Sequence, residues 1–358
     1  METGDREQPV LRCFEEGVTI ESARTPPASW YTTEEISALE KECVFRAHWL
    51  FVGRSEGLVE PGDYFTGEFL GWPYLVTVDE KRELRAFYNV CSHHGTCVAE
   101  GVGRKKSFVC PYHGWTYGLA GTLKKAPGAG ALESLRGGTL NLKPIHVDRF
   151  GPFIALHFGQ PERSVVEQMG DVLGAFSAPP FESLLFVQQV RYEVGCNWKV
   201  FVDNYLDGGY HVPHMHPSLA GQLELSTYET VYGERWSMQS CGASGSGERL
   251  GERADYAWVY PNFMINRYGP WMDTNTVIPL GADRCLAVFD YFYEGTAPPS
   301  VVKQGVEASA QVQREDMVIC GRVQKGLGSG AYERGVYASR FEMPMFRFHQ
   351  LLGADLGA

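Results

Sequence analysis

The chain has 358 residues, of which 44% are hydrophobic and 21% are charged, and its formal net charge is −11. The length favours about two domains, and the composition is typical of globular proteins and not of disordered ones. The acidic balance, without a stripe rich in Lys or Arg, argues against a nucleic-acid partner. The sequence has no apolar run of about 18 residues, and its first residues are acidic, so we expect no membrane span, secretory signal or transit peptide.

The predicted elements begin with a helix over residues 33–49, where Thr33 precedes two glutamates and apolar residues recur at helical spacing. From residue 49 to residue 158, short apolar runs alternate with Gly and Pro, which predicts a small antiparallel β-domain. A helix and a linker are expected over residues 159–182. The remaining predicted elements are strands at 186–194, 256–266, 274–280 and 284–294, a helix that begins near Asn197, and a helix over 302–326. This order is typical of an α+β protein.

The nine cysteines are odd in number and widely scattered, which predicts reduced thiols and directs attention to any pair with metal-ligand spacing. Cys91 is followed by His93, and Cys110 is followed by His113, so each of two predicted loops supplies one thiol and one imidazole. Zinc fingers usually pair Cys with Cys and His with His. A Rieske [2Fe–2S] centre binds one iron through two Cys and the other through two His, and the sequence therefore predicts such a cluster here.

A second group of possible metal ligands lies in residues 197–216. His211 and His216 are separated by Pro213, which ends or kinks a helix and lets both rings face one ion. Two imidazoles and one carboxylate form the facial triad of non-haem iron oxygenases, which leaves open positions for dioxygen. From the residues alone, His214 is a competing ligand, and both Glu315 and Asp316 could supply the carboxylate.

Together these motifs resemble the α-subunit family of Rieske non-haem iron oxygenases, from the N-terminal helix to the final FRFHQLL. Three strings are similar to the branch of plant-type choline monooxygenases: NWKVFVDNYLDGGYHVPHMH, YPNFMINRYGPWMDTN and VQREDMVICGRVQKGL. The resemblance implies an α+β fold in which a small antiparallel β Rieske domain accompanies a helix-grip catalytic domain, an antiparallel sheet around a long helix. The implied parts are an N-terminal helical segment packed on the catalytic domain (1–45), the Rieske domain (46–160) and the catalytic domain (161–358).

The resemblance also implies the roles of individual residues. The cluster ligands would be Cys91, His93, Cys110 and His113, and the ligands of the mononuclear iron would be His211, His216 and Asp316. Asp207 and Asn204 would belong to the catalytic machinery. Asp207 would link His211 to His113 of a neighbouring subunit, which implies a closed ring, commonly a trimer.

The implied reaction is the O₂-dependent hydroxylation of choline to betaine aldehyde hydrate, the first step of glycine betaine synthesis, with electrons from ferredoxin or a reductase. A plant-type protein would work in the chloroplast stroma, and a protein of another origin in the cytoplasm. Because a quaternary ammonium cannot donate a hydrogen bond, its recognition would depend on aromatic faces, and Trp271 and Tyr268 are the favoured candidates.

Two alternatives remain open at this point. The same chemistry could act on another substrate, by N-demethylation of glycine betaine, stachydrine or carnitine or by hydroxylation of an arene. A carboxylated betaine would need an Arg or Lys in the pocket, for which Arg267 is the nearest candidate in sequence. Alternatively, the protein could be an iron–sulfur electron-transfer protein without oxygenase activity.

Overall fold

The chain divides into two compact units, Arg46–Glu167 on one hand and Met1–Phe45 with Gln168–Ala358 on the other. The computed structural model describes residues 18–129, 138–176, 180–243 and 251–357. Each unit contains its own seven-stranded sheet, and every paired strand in both sheets is antiparallel. Within the described ranges no helix is long and apolar enough to cross a membrane.

The Arg46–Glu167 unit combines a seven-stranded sheet, in the order β1-β10-β9-β4-β3-β2-β5, with a three-stranded sheet, β6-β7-β8. Its strands are β1 (Leu50–Arg54), β2 (Asp63–Phe69), β3 (Trp72–Val78), β4 (Leu84–Tyr88), β5 (Val102–Arg104), β6 (Phe108–Val109), β7 (Thr116–Tyr117), β8 (Leu123–Lys125), β9 (Pro144–Phe150) and β10 (Phe153–His157). Apolar side chains that include Leu75, Phe108 and Tyr117 form a core that also contains Cys91 and Cys110. The two cysteine loops are therefore anchored in the interior of this unit.

In the described residues of the other unit, seven strands form a sheet in the order β11-β17-β16-β15-β14-β13-β12. Its strands are β11 (Leu184–Val194), β12 (Leu223–Tyr232), β13 (Trp236–Ala243), β14 (Arg253–Val259), β15 (Phe263–Tyr268), β16 (Trp271–Gly281) and β17 (Arg284–Glu294). The single strand predicted at 256–266 was wrong, because β14 and β15 are two strands of a hairpin whose turn contains Pro261. Proline lacks the N–H group that a ladder requires, so it marks the turn here.

The helices are α1 (Ser29–Thr32), α2 (Glu34–Glu40), α3 (Val165–Met169), α4 (Val172–Ala175), α5 (Trp198–Tyr205), α6 (Val212–Met215), α7 (Pro217–Ala220), α8 (Pro299–Leu327) and α9 (Met343–Leu356). The helix predicted over 33–49 is shorter, since α2 passes into a π-helical turn at Lys41–Phe45 and β1 begins soon after. In the described part of the N-terminal segment, α1 contacts α8 and the π-helical turn contacts α9.

The long helix α8 packs against the sheet and against α5. Gly305 permits this close approach, because a Cβ atom at that position would lie 2.3 Å from the Trp271 ring of β16. An antiparallel sheet that holds one long helix is the helix-grip arrangement, and the predicted fold class is confirmed.

Candidate active site

The two cysteine loops have the same backbone design. In the first loop, the N–H of Cys91 donates to the carbonyl of Thr96, and the N–H of Gly95 donates back to the carbonyl of Cys91. Cys110, Gly114 and Trp115 repeat this pattern at the same spacing. Both glycines have a positive φ, +81° and +74°, a conformation that is costly for residues with a Cβ atom. Each of the two turns therefore encloses one histidine, His93 in the first and His113 in the second.

The side chains of these loops present two thiols and two imidazoles of different exposure. Cys91 and Cys110 are each 2% exposed, whereas His93 is partly exposed and His113 is exposed, and the Nδ1 atoms of the two rings lie 3.1 Å from each other. The ring of His93 stacks on Trp115, with 4.6 Å between the ring centroids. This donor set has the chemistry of a Rieske cluster, in which the thiolates bind one iron and the imidazoles bind the other.

Two neighbouring side chains, Tyr117 and His94, contact the candidate cluster ligands. The Tyr117 hydroxyl lies 3.3 Å from the Cys91 Sγ atom and accepts a hydrogen bond from the backbone N–H of Ser92. Burial, followed by the contact with Cys91, raises the pKa of Tyr117 to about 12, so this side chain remains a neutral donor. The His94 ring lies beside the His93 ring, with 3.9 Å between the ring centroids.

The second predicted metal site follows helix α5. Asn197 caps this helix by accepting a hydrogen bond from the N–H of Lys199, and α5 ends at Tyr205. Asp207 then accepts hydrogen bonds from the backbone N–H groups of Gly209 and His211, which fixes the tight turn before α6. A Cβ atom on Gly208 would lie 2.2 Å from the Phe341 carbonyl oxygen, so the Asp-Gly-Gly turn requires a glycine there.

This turn and helix α8 bring His211, His216 and Asp316 together, with their possible ligand atoms within 4.8 Å of one another. The Asp316 Oδ1 atom lies 3.0 Å from His216 Nε2 and 3.7 Å from His211 Nε2. Asn204 donates a hydrogen bond to the same Asp316 oxygen, at 2.9 Å, and orients the carboxylate. Two imidazoles and one carboxylate in this arrangement match the 2-His-1-carboxylate triad of non-haem iron oxygenases.

The other nitrogen of each ring is already committed to an acid. His211 Nδ1 donates to Asp207 at 2.6 Å, and His216 Nδ1 donates to Glu315 at 2.6 Å. Burial disfavours the charged form of His216, but the hydrogen bonds to Asp316 and Glu315 outweigh burial and raise its pKa. The hydrogen bond from His216, then that from Gln311, lowers the pKa of Glu315. Each ring is thereby oriented with its Nε2 atom toward the predicted iron, as metal-binding histidines usually are.

A cavity of about 160 Å³ opens beside this triad. By volume it holds on the order of ten water-sized spheres, which suits a small ligand. Its wall includes four tyrosines and two phenylalanines: Tyr205, Tyr228, Tyr256, Tyr268, Phe201 and Phe289. Asp273, which is 2% exposed, accepts hydrogen bonds from Asn266 and Tyr268 at the sheet side of the cavity.

The structure distinguishes between the candidate substrate and metal-binding residues that the sequence left open. Tyr268 lies in the cavity wall, whereas the lining does not include Trp271, which packs edge-on against Tyr293 and fills the space over Gly305. His214 is exposed and lies outside the His211, His216 and Asp316 group. Glu315 was predicted only as a competing iron ligand, and its contact with His216 could not be predicted without the position of α8.

The comparisons with known proteins agree with this geometry. Residues 48–136 match the Rieske [2Fe-2S] domain model, and residues 181–357 match the ring hydroxylating alpha subunit (catalytic domain) model. The chain is 44% identical to the chloroplastic choline monooxygenase of Arabidopsis thaliana, over 96% of this chain and 85% of that protein. It is 30% identical to the carnitine monooxygenase oxygenase subunit of Escherichia coli K12, over 87% and 86% of the two chains.

Among solved structures, a quaternary ammonium Rieske monooxygenase in complex with L-carnitine is similar, with a TM-score of 0.81 and 25% identity. The match covers 95% of this chain and 96% of that one. The chain therefore belongs to the α-subunit family of Rieske non-haem iron oxygenases. It is a Rieske non-haem iron monooxygenase whose cofactors are a [2Fe–2S] cluster and a mononuclear iron, and the predicted family, enzyme class and cofactors are confirmed.

Proposed function

We propose that this enzyme hydroxylates choline at its alcohol carbon, the first step of glycine betaine synthesis. Choline, dioxygen, two electrons and two protons give water and the hydrate of betaine aldehyde, which then loses a second water. The electrons would come one at a time from reduced ferredoxin. The high identity to a choline monooxygenase supports this substrate, and the match to carnitine monooxygenase subunits supports the wider class of quaternary ammonium compounds.

The charge of the cavity wall is the observation that carries the proposal. Apart from histidines, the ionisable acids and bases among the lining residues that the structure describes are carboxylic acids, Asp207, Asp273 and Asp316, together with tyrosines. Tyrosine faces and a buried carboxylate attract a cation that cannot donate a hydrogen bond. A neutral arene would gain nothing from the buried carboxylate of Asp273.

A carboxylated betaine would need a cationic side chain in the same wall, and Arg267 was the candidate. Arg267 precedes Tyr268 in β15, so its side chain points to the other face of the sheet. Its guanidinium lies over the ring of Phe181, 4.9 Å from the centroid, and it is not a lining residue. The cavity therefore favours choline over carnitine or glycine betaine.

We further propose that the cluster is held by Cys91, His93, Cys110 and His113, and the iron by His211, His216 and Asp316. When bound, the iron supplies oxygen activation with electrons delivered through the cluster. Asp207 and Glu315 hold the two histidine rings in one tautomer and one orientation. Asn204 holds the Asp316 carboxylate in place by its amide hydrogen bond.

The proposed arrangement of the whole enzyme follows from the family. Residues 46–160 would serve as the cluster domain and residues 161–358 as the iron domain, with residues 1–45 attached to the latter. Asp207 would connect His211 to His113 of a neighbouring subunit in a ring of three chains. Light scattering of the purified protein tests the number of chains.

Turnover tests the substrate. The reconstituted enzyme, supplied with ferredoxin, its reductase and ¹⁸O₂, should convert choline to ¹⁸O-labelled betaine aldehyde that is trapped promptly and measured by mass spectrometry. Carnitine and glycine betaine are the comparison substrates, and faster turnover of either would overturn the choline assignment. Iron analysis distinguishes the monooxygenase from an electron-transfer protein, because an electron-transfer protein would contain only the iron of the cluster.

Asp273→Asn tests the cation site. Loss of the buried negative charge should raise the KM for choline by about one to two orders of magnitude, since a single charge in this setting contributes that much. Asp283→Asn, which changes an exposed carboxylate on the β16–β17 turn, is the matched control and should leave KM unchanged.

A further inference from the structure

Gln313 lies on α8 and has no role in the function proposed above. It is 4% exposed and lies in the cavity wall together with Ser309, Val312 and Asp316 of the same helix. Residues three and four apart share one helix face, so Gln313 lies directly beside the proposed iron ligand Asp316 on the face that borders the cavity.

The amide of Gln313 differs from the other polar groups of the wall because its Nε2 atom has no hydrogen-bond partner among the described residues. Its neighbours are paired. The Tyr291 hydroxyl donates a hydrogen bond to the Ser309 hydroxyl at 2.9 Å, and the Asn204 amide donates one to Asp316. Across the cavity, Gln239 accepts a hydrogen bond from Tyr228 at 2.7 Å. Buried amides are nearly always hydrogen-bonded, so an unpaired one in a cavity wall indicates a ligand group.

The chemistry of choline decides which of its ends can satisfy this amide. The trimethylammonium group has neither a donor nor an acceptor, whereas a hydroxyl has one donor and two acceptor lone pairs. An amide also carries both functions, so it matches a hydroxyl whichever way its oxygen and nitrogen point. The carboxylate of Asp273 therefore suits the trimethylammonium end of choline, and the amide of Gln313 suits its hydroxyl end.

We propose that Gln313 binds the substrate hydroxyl and is the residue that makes the enzyme an alcohol-carbon hydroxylase. Asp273 and the tyrosines on the sheet side hold the trimethylammonium group, and Gln313 on α8 holds the hydroxyl beside Asp316. The alcohol carbon, and not an N-methyl carbon, then faces the proposed iron. This inference rests on choline being the substrate and names the group that orients it.

Equilibrium binding tests the inference without turnover. Calorimetry of the iron-loaded protein under anaerobic conditions compares choline with ethyltrimethylammonium, the same cation without its hydroxyl. The wild-type protein should bind choline about tenfold more tightly, because the analogue leaves the buried amide unpaired. In Gln313→Met, which keeps the length of the side chain, the ratio should fall to about one through weaker choline binding, with little change for the analogue.

Two further variants complete the design. Gln304→Met makes the same substitution on an exposed position of α8 and should keep the wild-type ratio. Gln313→Glu keeps an acceptor at the same place and should keep a preference for choline, so it also serves if Gln313→Met does not fold. With choline as substrate, Gln313→Met should shift the product from betaine aldehyde toward formaldehyde and dimethylethanolamine.

The outcomes separate the inference from the proposed function. A wild-type ratio near one, or a ratio that Gln313→Met leaves unchanged while wild-type enzyme converts choline to betaine aldehyde, overturns the role of Gln313 alone. If wild-type protein neither binds nor converts choline, the proposed function fails and the role of Gln313 fails with it.

Discussion

The two metal centres of this chain are built in different ways. The four proposed cluster ligands lie on two short loops between Cys91 and His113, and each loop is closed by the same pair of backbone hydrogen bonds. The proposed iron site instead joins a turn after α5 to helix α8, and His216 and Asp316 are 100 residues apart in sequence. The cluster site therefore depends mainly on local sequence. The iron site depends instead on packing within the unit formed by Met1–Phe45 and Gln168–Ala358, called the catalytic unit below.

The surroundings of the two centres differ as well. His93 is partly exposed and His113 is exposed, which suits a centre that exchanges electrons, whereas His216 is 1% exposed. Lys and Arg slightly outnumber Asp and Glu in Arg46–Glu167, so the net negative charge of the chain belongs entirely to the other unit. An acidic unit around an acidic cavity raises the local concentration of a cationic substrate.

Removing one proposed ligand from each centre should have the largest effect and tests whether the two centres form independently. Asp316→Ala should abolish both iron binding at His211 and His216 and turnover, while the visible spectrum of the cluster persists. Cys110→Ser should remove the cluster spectrum. Iron analysis and absorption spectra measure both results, and Asp283→Ala is the control for loss of an exposed carboxylate. Loss of the cluster spectrum in Asp316→Ala would contradict the independence of the two centres.

The next largest effect concerns the core of the catalytic unit. Lys199 is fully buried, with its Nζ atom 2.6 Å from Glu40 Oε1, and Trp198 donates to the other oxygen of that carboxylate. Burial lowers the pKa of Lys199, and the attraction of Glu40 opposes that shift. Glu40→Gln should destabilise the protein by about 3–5 kcal/mol, because it leaves a buried charge unpaired.

Denaturant unfolding, with separate signals for the catalytic unit and the cluster, measures this loss. The double variant Glu40→Leu/Lys199→Met removes both charges and should recover most of the stability. If the single and double variants were equally unstable, the unpaired charge would not be the cause.

Substitution of the acids that orient the two histidines of the proposed iron site should have smaller, graded effects. Asp207→Asn and Glu315→Gln each weaken the hold on one ring, and such partners typically contribute about 10–100-fold to metal affinity or activity. Asp207 should lie at the upper end, because it also fixes the turn through two backbone N–H groups. The rate at which a chelator removes the iron measures the effect, and Gln304→Met serves as the control. Equal loss of cluster absorbance would contradict a role confined to the iron site.

The same difference between local and long-range structure explains what could be predicted from the sequence. Contiguous stretches of sequence were enough to predict the cysteine loops, the turn before His211 and the long helix α8. The choice of Asp316 came from the family resemblance. The role of Glu315 depends on how α8 is rotated, and the sequence contains no signal for that rotation. Trp271 faces the same side of the sheet as Asp273, but Gly305 allows α8 to cover it, so the sequence could not separate it from Tyr268.

Helix ends and turns were also difficult to predict. The apolar spacing after Thr33 continues past residue 40, although the backbone there changes to a π-helical turn. Pro261 indicated the β14–β15 turn, but the aromatic run around it has strand propensity on both sides. Helix α9 had no strong periodic signal and was not predicted.

The smallest effect is expected for the Asp63–Arg104 ion pair of the Arg46–Glu167 unit. Unlike the buried Lys199–Glu40 pair, this pair is partly exposed to solvent. Asp63 accepts a 2.6 Å hydrogen bond from Arg104 and caps the N–H groups of Val59 and Glu60. The Arg104 hydrogen bond, against the opposing effect of burial, lowers the pKa of Asp63 from 3.8 to about 2. Because the folded state prefers the ionised carboxylate, this stabilisation is complete above a pH of 3.8 and is lost as the pH falls toward 2.

The Arg104 side chain is 59% exposed, so solvent screening limits the contribution of the ion pair to less than about 1 kcal/mol. Asp63→Asn should therefore lower the denaturant midpoint slightly at neutral pH. The difference from wild type should shrink when unfolding of the metal-free protein is followed from pH 5 to pH 2. A difference that stays constant over this range would mean that Asp63 acts through its shape and not through its charge.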